Sequence, residues 1–376
     1  MRPRSARVRA RSGRRARMSI GALARETWRD MTSGTAWIGI WTLLAALLLG
    51  GGISLDVQVI AREARAAADY QASLASVRVV ESNQAIDGAT CRALAELDGV
   101  KGAIAIRKAP EPLSPAAIPS ASLQTWEYTG GIEGVFDMTS HDPAASGVIL
   151  AEQVASALGL VAGDEAALKS GASTPVKGVY AWDENDGRRT GYAYSALVPV
   201  PARGRFDACW VRLWPLNPAV DSLMRLAVIP GDEHQQVDTY SVNASLGAAF
   251  DGPGRYAGRI TAPIAWILFA LGLGIGALSV RRRRLELASD LHAGVSRTDL
   301  VAKVELHAAV IALFAAILSV PVLTGMILRV PEADRPALWA HAGLLGLVGA
   351  SGLLLGALLV ALALREKKLF DYFKTR

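Results

Sequence analysis

The residues that could do chemistry in this chain are few and scattered. There is no GxxxxGK[ST] loop to cradle a nucleotide triphosphate, and no HExxH, CxxC or GxSxG. His141 and His234 have no spaced partner and read as surface or internally bonded side chains. His292, His307 and His341 sit near apolar runs, again without carboxylates or cysteines at ligand spacing. Asp183, Glu184 and Asp186 fall in an Asp-Glu-Asn-Asp-Gly run that reads as a solvated hairpin, with weak calcium binding the alternative. No nucleophile stands with a base, and no metal-ligand set forms. The chain is therefore not expected to be an enzyme or to hold a metal or cofactor of its own. The two cysteines, Cys91 and Cys209, admit two readings: a disulfide, or a pair of buried thiols.

The densest polar pattern is Arg281 to Lys303. Arg282-Arg283-Arg284-Leu285-Glu286-Leu287-Ala288 reads as an amphipathic stretch, broken at Gly294. Ser296 followed by Asp299 is a capping-box-like start, with Asp in place of the usual Glu.

What positions these residues is a set of four apolar runs. A bilayer's hydrocarbon core is about 30 Å thick and needs about 20 mostly apolar residues to cross it. Trp37–Leu55, Ile260–Val280, Ala308–Leu328 and Leu338–Leu364 meet that requirement, and none carries a buried charge to mark a solute path. The first run is too long for a signal-peptide core and reads as a retained anchor. Lys and Arg flanking a span stay on the cytoplasmic side. Residues 1–36 hold ten Arg, residues 281–303 hold six Lys/Arg and the tail from Arg365 holds five. Both termini are thus expected inside a plasma membrane crossed four times.

The expected layout is a cytoplasmic Arg-rich tail and amphipathic helix at 1–36, the first span at 37–55 and an extracytoplasmic domain at 56–259. The second span at 260–280, a cytoplasmic coupling loop at 281–307 and the third span at 308–328 follow. A short outer loop at 329–337, the fourth span at 338–364 and a cytoplasmic tail at 365–376 complete it. Residues 1–17 carry eight Arg and no apolar period, so they are expected to be disordered or to precede a true start at Met18. Ser19–Met31 places Ile20, Leu23, Ala24, Thr27, Trp28 and Met31 on one helical face, as in a helix lying on the inner membrane surface.

Residues 56–259 hold 17 Lys/Arg against 24 Asp/Glu, so the net charge of +6 reports the inner membrane face rather than nucleic-acid binding. Asp56–Val77 and Ser245–Arg259 are expected to be helical stalks. Between them the pattern is a mixed α+β domain. It has helices at Gly88–Asp98, capped by Asp87, and at Ala151–Leu158. Strands are expected at Val100–Arg107, Gly147–Leu150, Val176–Trp182, Gly191–Val200 and Ala208–Trp214. Pro110–Pro119 reads as an exposed loop. Gly272xxxGly276 and Gly352xxxGly356 permit close helix contacts.

The loop residues Arg283, Arg284, Glu286, Ala288, Gly294, Ser296, Arg297, Leu300 and Glu305 resemble the intracellular loop of MacB/FtsX-like permeases, the type VII ABC transporter family. Asp290 and His292 depart from that pattern. Gly147-Val148-Ile149-Leu150-Ala151-Glu152, Ala157-Leu158-Gly159-Leu160, Gly163-Asp164 and Val176-Lys177-Gly178-Val179 resemble the core of MacB-like periplasmic domains. The order of one span, a large domain and three spans agrees. The resemblance implies a dimerising bacterial permease, made with a second copy or a paralogue. A separate ATPase subunit would bind ATP and Mg and grip Arg283, Arg284, Glu286, Ala288, Gly294, Ser296, Arg297 and Leu300. Its action would move the extracytoplasmic domain to export or extract a peptide, antibiotic or lipid-like substrate. Two other readings stay open: an FtsX-like regulator of cell-wall hydrolases, and a membrane-anchored binding protein with no ATPase.

Overall fold

The computed structural model describes residues 21, 25, 29, 37–142, 146–231 and 234–364. The expected surface helix at Ser19–Met31, apart from Gly21, Arg25 and Arg29, and the tail from Arg365 lie outside them. The chain divides into two compact units, residues 1–64 with 256–376, and residues 65–255.

The first unit is helical. Among the described residues, four helices are long and apolar enough to cross a membrane: Ile38–Ala72, Ile264–Arg282, Arg297–Ile327 and Glu332–Ala363. The first, α1 (Ile38–Ala72), contains one π-helical turn at Ala46–Gly50. The apolar run continues into an Ala-rich stretch free of Pro and Gly, so nothing in the sequence stops the helix before Ala72. The approach to the second span is different from the expected stalk. After α4 (Ala219–Met224), only α5 (Gly252–Ala257) is helical there; Pro253 is tolerated in the first turn of a helix but not inside one that would have to begin at Ser245.

The second span, α6 (Ile264–Arg282), packs on the fourth, α9 (Arg335–Ala363), through glycines. A Cβ on Gly272 would meet the carbonyl oxygen of Gly349, and one on Gly276 would meet that of Leu353. A Cβ on Gly352 would meet the Phe269 carbonyl, and one on Gly356 that of Leu273. The two glycine pairs therefore pack against each other within one chain. Residues 281–307 hold α7 (Arg284–His292) and the start of α8 (Arg297–Ile327), on either side of the break expected at Gly294.

The second unit is built on a ten-stranded mixed sheet in the order β10-β1-β9-β2-β3-β8-β5-β7-β4, with β6 also paired to β7. Its strands are β1 (Val77–Asp87), β2 (Val100–Lys108), β3 (Gln124–Tyr128), β4 (Met138–His141), β5 (Val148–Ala151), β6 (Glu165–Ala167), β7 (Ser173–Tyr180), β8 (Ser195–Pro199), β9 (Arg205–Leu213) and β10 (Asp238–Ser241). Alternation along the strands makes two cores, one on each sheet face. Ile104, Ile106, Ala208 and Trp210 enter one core, while Ala103, Ala105, Cys209 and Val211 enter the other.

The first core is aromatic. Phe136 stacks on Trp210 with centroids 5.5 Å apart, and Tyr180, Trp182 and Tyr192 surround them. The second core lies beneath α2 (Gly88–Ala93), whose N-terminus is capped by Asp87. Cys91 on α2 and Cys209 on β9 are joined, with an S–S distance of 1.97 Å. The helix expected to reach Asp98 stops at Ala93 and tightens to a 3₁₀ turn at Leu94–Glu96. The helix α3 (Glu152–Leu158) closes at Gly159, which takes a positive φ of 67°.

Candidate functional site

The helical turn between α6 and α8 is built by local chemistry. Arg283 follows the last residue of α6 and holds Glu286 with two hydrogen bonds, Nε to Oε2 at 3.0 Å and Nη2 to Oε1 at 2.6 Å. The chain then runs through α7 and reverses at Gly294, whose φ of +98° disfavours any side chain. Ser296 caps α8: its hydroxyl accepts from the Asp299 amide at 3.1 Å and donates to the Asp299 carboxylate at 2.7 Å. This is an N-cap in which the acidic residue at the third helical position holds the capping hydroxyl.

Burial sorts the candidate coupling residues into two groups. Leu287, Ala288, Leu300 and Val304 are buried in the core of the helical unit, so Ala288 and Leu300 fasten the turn to the bundle. Gly294 and Arg297 are exposed, together with Ser289, His292 and Ala293. Arg283, Arg284, Glu286 and Ser296 lie between these extremes. Behind the turn, Lys303 lies 3.5 Å from Asp290, and buried His307 donates from Nδ1 to the Lys303 carbonyl at 2.7 Å. The turn thus offers a partner one exposed cationic apex on a base anchored from below.

The structure also assembles a site that spacing does not reveal. Asp56 on α1 is fully buried at 0% exposure. Its Oδ1 accepts from Arg259 Nε at 3.2 Å, and its Oδ2 from His341 Nε2 on α9 at 2.6 Å. His341 therefore does have a carboxylate partner, contrary to the sequence expectation. The apolar runs themselves hold no buried Asp, Glu, Lys or Arg, but Asp56, Asp299 and Lys303 are buried in the helices just beyond them. Asp56 stands one residue beyond its apolar run, and 285 residues separate it from His341, so only the folded bundle joins them.

In the β-rich unit, His141 and Lys177 flank Glu133 at 3.6 and 3.0 Å. Burial works against the charged form of Glu133, but its own backbone amide, Lys177 and His141 outweigh it and hold the carboxyl below the usual range. His234 is exposed. The carboxylates of the 183–187 run are engaged in their own loop: Asp183 accepts from the Asn185 amide, Glu184 from the Gly191 amide and Asp186 from Arg188. Among the described residues no cluster of three or more His, Cys, Asp or Glu is arranged to hold a metal.

No protein-family model matches the chain, and no curated protein does. Among solved structures, the periplasmic region of MacB from Actinobacillus actinomycetemcomitans overlaps it with a TM-score of 0.31 and 11% sequence identity, over 40% of this chain and 82% of that one. A likeness of that degree carries no argument about function.

Proposed function

We propose that the chain is the permease subunit of a MacB-type ABC transporter, driven by a separate ATPase that binds ATP and Mg. The turn around Gly294 carries this reading. Residues resembling the family's intracellular loop form a folded helix–turn–helix whose apex, Gly294 and Arg297, is solvent-exposed, while Ala288 and Leu300 anchor it. The missing nucleotide loop and four helices of spanning length support the same reading. In it the basic turn faces the cytoplasm, residues 56–259 lie outside, and two permease chains pair. Movement of the outer domain then exports or extracts a peptide, antibiotic or lipid-like substrate.

The test is co-expression with the organism's candidate ABC ATPase, followed by ATP hydrolysis measured in nanodiscs. Arg297→Glu inverts the apex charge and Gly294→Val opposes the positive φ. Both are expected to lower permease-dependent hydrolysis at least about tenfold, as for disrupted charge pairs at interfaces, with membrane insertion unchanged. Full hydrolysis in both variants would end the docking assignment. Co-purification of a cell-wall hydrolase instead of an ATPase would favour the FtsX-like regulator.

A further inference from the structure

An open groove runs along the helical unit between α8 and α9. It holds about 380 Å³, and α1 is its floor. That floor is fixed, because Leu49 lies against Gly349 of α9 and Gly50 against Ser319 of α8. Above it there is room: a Cβ on Gly343 of α9 would meet nothing within 4 Å. The groove follows α8 from Ala312 to Leu323 and α9 from Trp339 to Ala350, so at 1.5 Å per residue it is about 16 Å long.

These dimensions select an occupant. Volume over length gives a cross-section of about 24 Å². An α-helix with its side chains is about 10–12 Å across and would need roughly three times that area, so no helix of a partner or second copy fits. Water is disfavoured as well, because a buried water needs several polar partners. Ser319, the hydroxyl in the wall, already donates to the Ala315 carbonyl at 2.8 Å. A single hydrocarbon chain does fit. Extended, it advances about 1.2 Å per bond, as an extended backbone does, so about fourteen carbons span the groove. The groove is also as deep as one leaflet, about half of a 30 Å hydrocarbon core. Its Leu323–Trp339 end lies toward the connection between α8 and α9, and Trp339 is the kind of residue that sits at a membrane interface. In that connection Arg335 and Glu332 pair at 3.2 Å, while Arg329 and Asp334 are exposed. One exposed cation and one exposed carboxylate suit a headgroup with a phosphate and an ammonium, and give a purely anionic headgroup no net attraction.

We propose that the groove holds one acyl chain of a zwitterionic phospholipid from the surrounding bilayer, its phosphate at Arg329 and its ammonium at Asp334. This goes beyond the transport reading and rests only on the helices crossing a bilayer.

The test uses the full chain without any partner. In nanodiscs of dimyristoyl phosphatidylethanolamine, a fraction of the lipid carries a diazirine near the end of one acyl chain. Photolysis is expected to label the deep end of the groove, at Ala312 and Ala350, about tenfold over the exposed Trp266 of α6, the ratio that a charged hydrogen bond supplies. Labelling spread evenly over the exposed helix faces overturns the site. Native mass spectrometry from detergent is expected to show one phosphatidylethanolamine retained per chain. Gly343→Leu fills the groove and is expected to lower that retention about tenfold, as overpacking does. Gly274→Leu on α6 also meets open space and is expected to leave it unchanged. Equal retention in the two variants overturns the site, and labelling of the native chain decides the matter alone if Gly343→Leu does not fold. Dimyristoyl phosphatidylglycerol is expected to be held about tenfold more weakly, and Asp334→Asn to remove that difference. Equal retention of the two lipids by the native chain overturns the headgroup assignment.

Discussion

The two units hold themselves together by different means. The β-rich unit sandwiches its sheet between two apolar cores and adds the Cys91–Cys209 bridge, as expected where water drives burial. The helical unit brings α6 and α9 together at glycines, backbone against backbone, and adds buried ionic contacts. The difference teaches that the determinants of stability follow the solvent. In one unit they are large side chains and a covalent link, and in the other they are missing side chains and a few charges.

That contrast can be broken at several points. The largest effect is expected from Cys91→Ala with Cys209→Ala. The bridge spans a sequence separation of 118, and opening it is expected to cost the β-rich unit about 4–5 kcal/mol in the chain-entropy account. Thermal melting followed by near-ultraviolet circular dichroism, which reports Trp182 and Trp210, is the measurement; an unaltered melt would show that the cores alone suffice. Next comes Gly276→Leu, which drives a side chain into the Leu353 carbonyl and is expected to cost about 3 kcal/mol or more. Its partner test, Gly343→Leu, meets open space and is expected to stay within about 0.5 kcal/mol in the same detergent melt. Equal losses in the two would erase the distinction between packed and unpacked glycines.

A smaller effect is expected at Asp87. The Thr90 hydroxyl and the Thr90 amide, together with the Ala89 amide, hold its carboxyl below the usual range, and modest burial opposes them only in part. Asp87→Ala removes a helix cap, and is expected to cost about 1 kcal/mol at neutral pH. Because the folded value lies below the unfolded one, this contribution is complete above the unfolded carboxylate pKa. It fades as pH falls through the folded value. The gap between variant and native melts should therefore close on acidification, and a gap that widens in acid would reverse the assignment.

Much of the helical unit was legible because its signals are local. Apolar runs mark the spans, the glycine pairs mark close approach, and Gly294 with Ser296 marks a reversal followed by a cap. The strand pattern of the β-rich unit was legible in part. β2, β5, β7, β8 and β9 fall within a few residues of their expected places, whereas β1, β3, β4, β6 and β10 had no clear alternation to announce them. β1 lies just beyond an Ala-rich helical run that read as continuing to Val77, and the helix instead ends at Ala72. The stalk expected at Ser245–Arg259 was misread because Pro253 suits the first turn of a short helix and not the interior of one that begins at Ser245. Among the site residues, Ala288 and Leu300 were grouped with exposed neighbours, since a motif records identity and not the face of a helix. The Asp56 cluster left no trace, since no spacing rule links residues so far apart along a chain.

The π turn at Ala46–Gly50 makes α1 a helix with a built-in phase shift. Each residue of an α-helix advances the azimuth by about 100°. The widened turn absorbs one extra residue without that advance, so deleting Leu47 would close it to an ordinary turn and leave everything beyond it near its present azimuth. The carboxylate of Asp56 would still face His341, although the helix before it had lost a residue. Deleting a residue from the ordinary helix between Gly51 and Leu55 has no such slack to draw on, and would turn Asp56 away by roughly that angle.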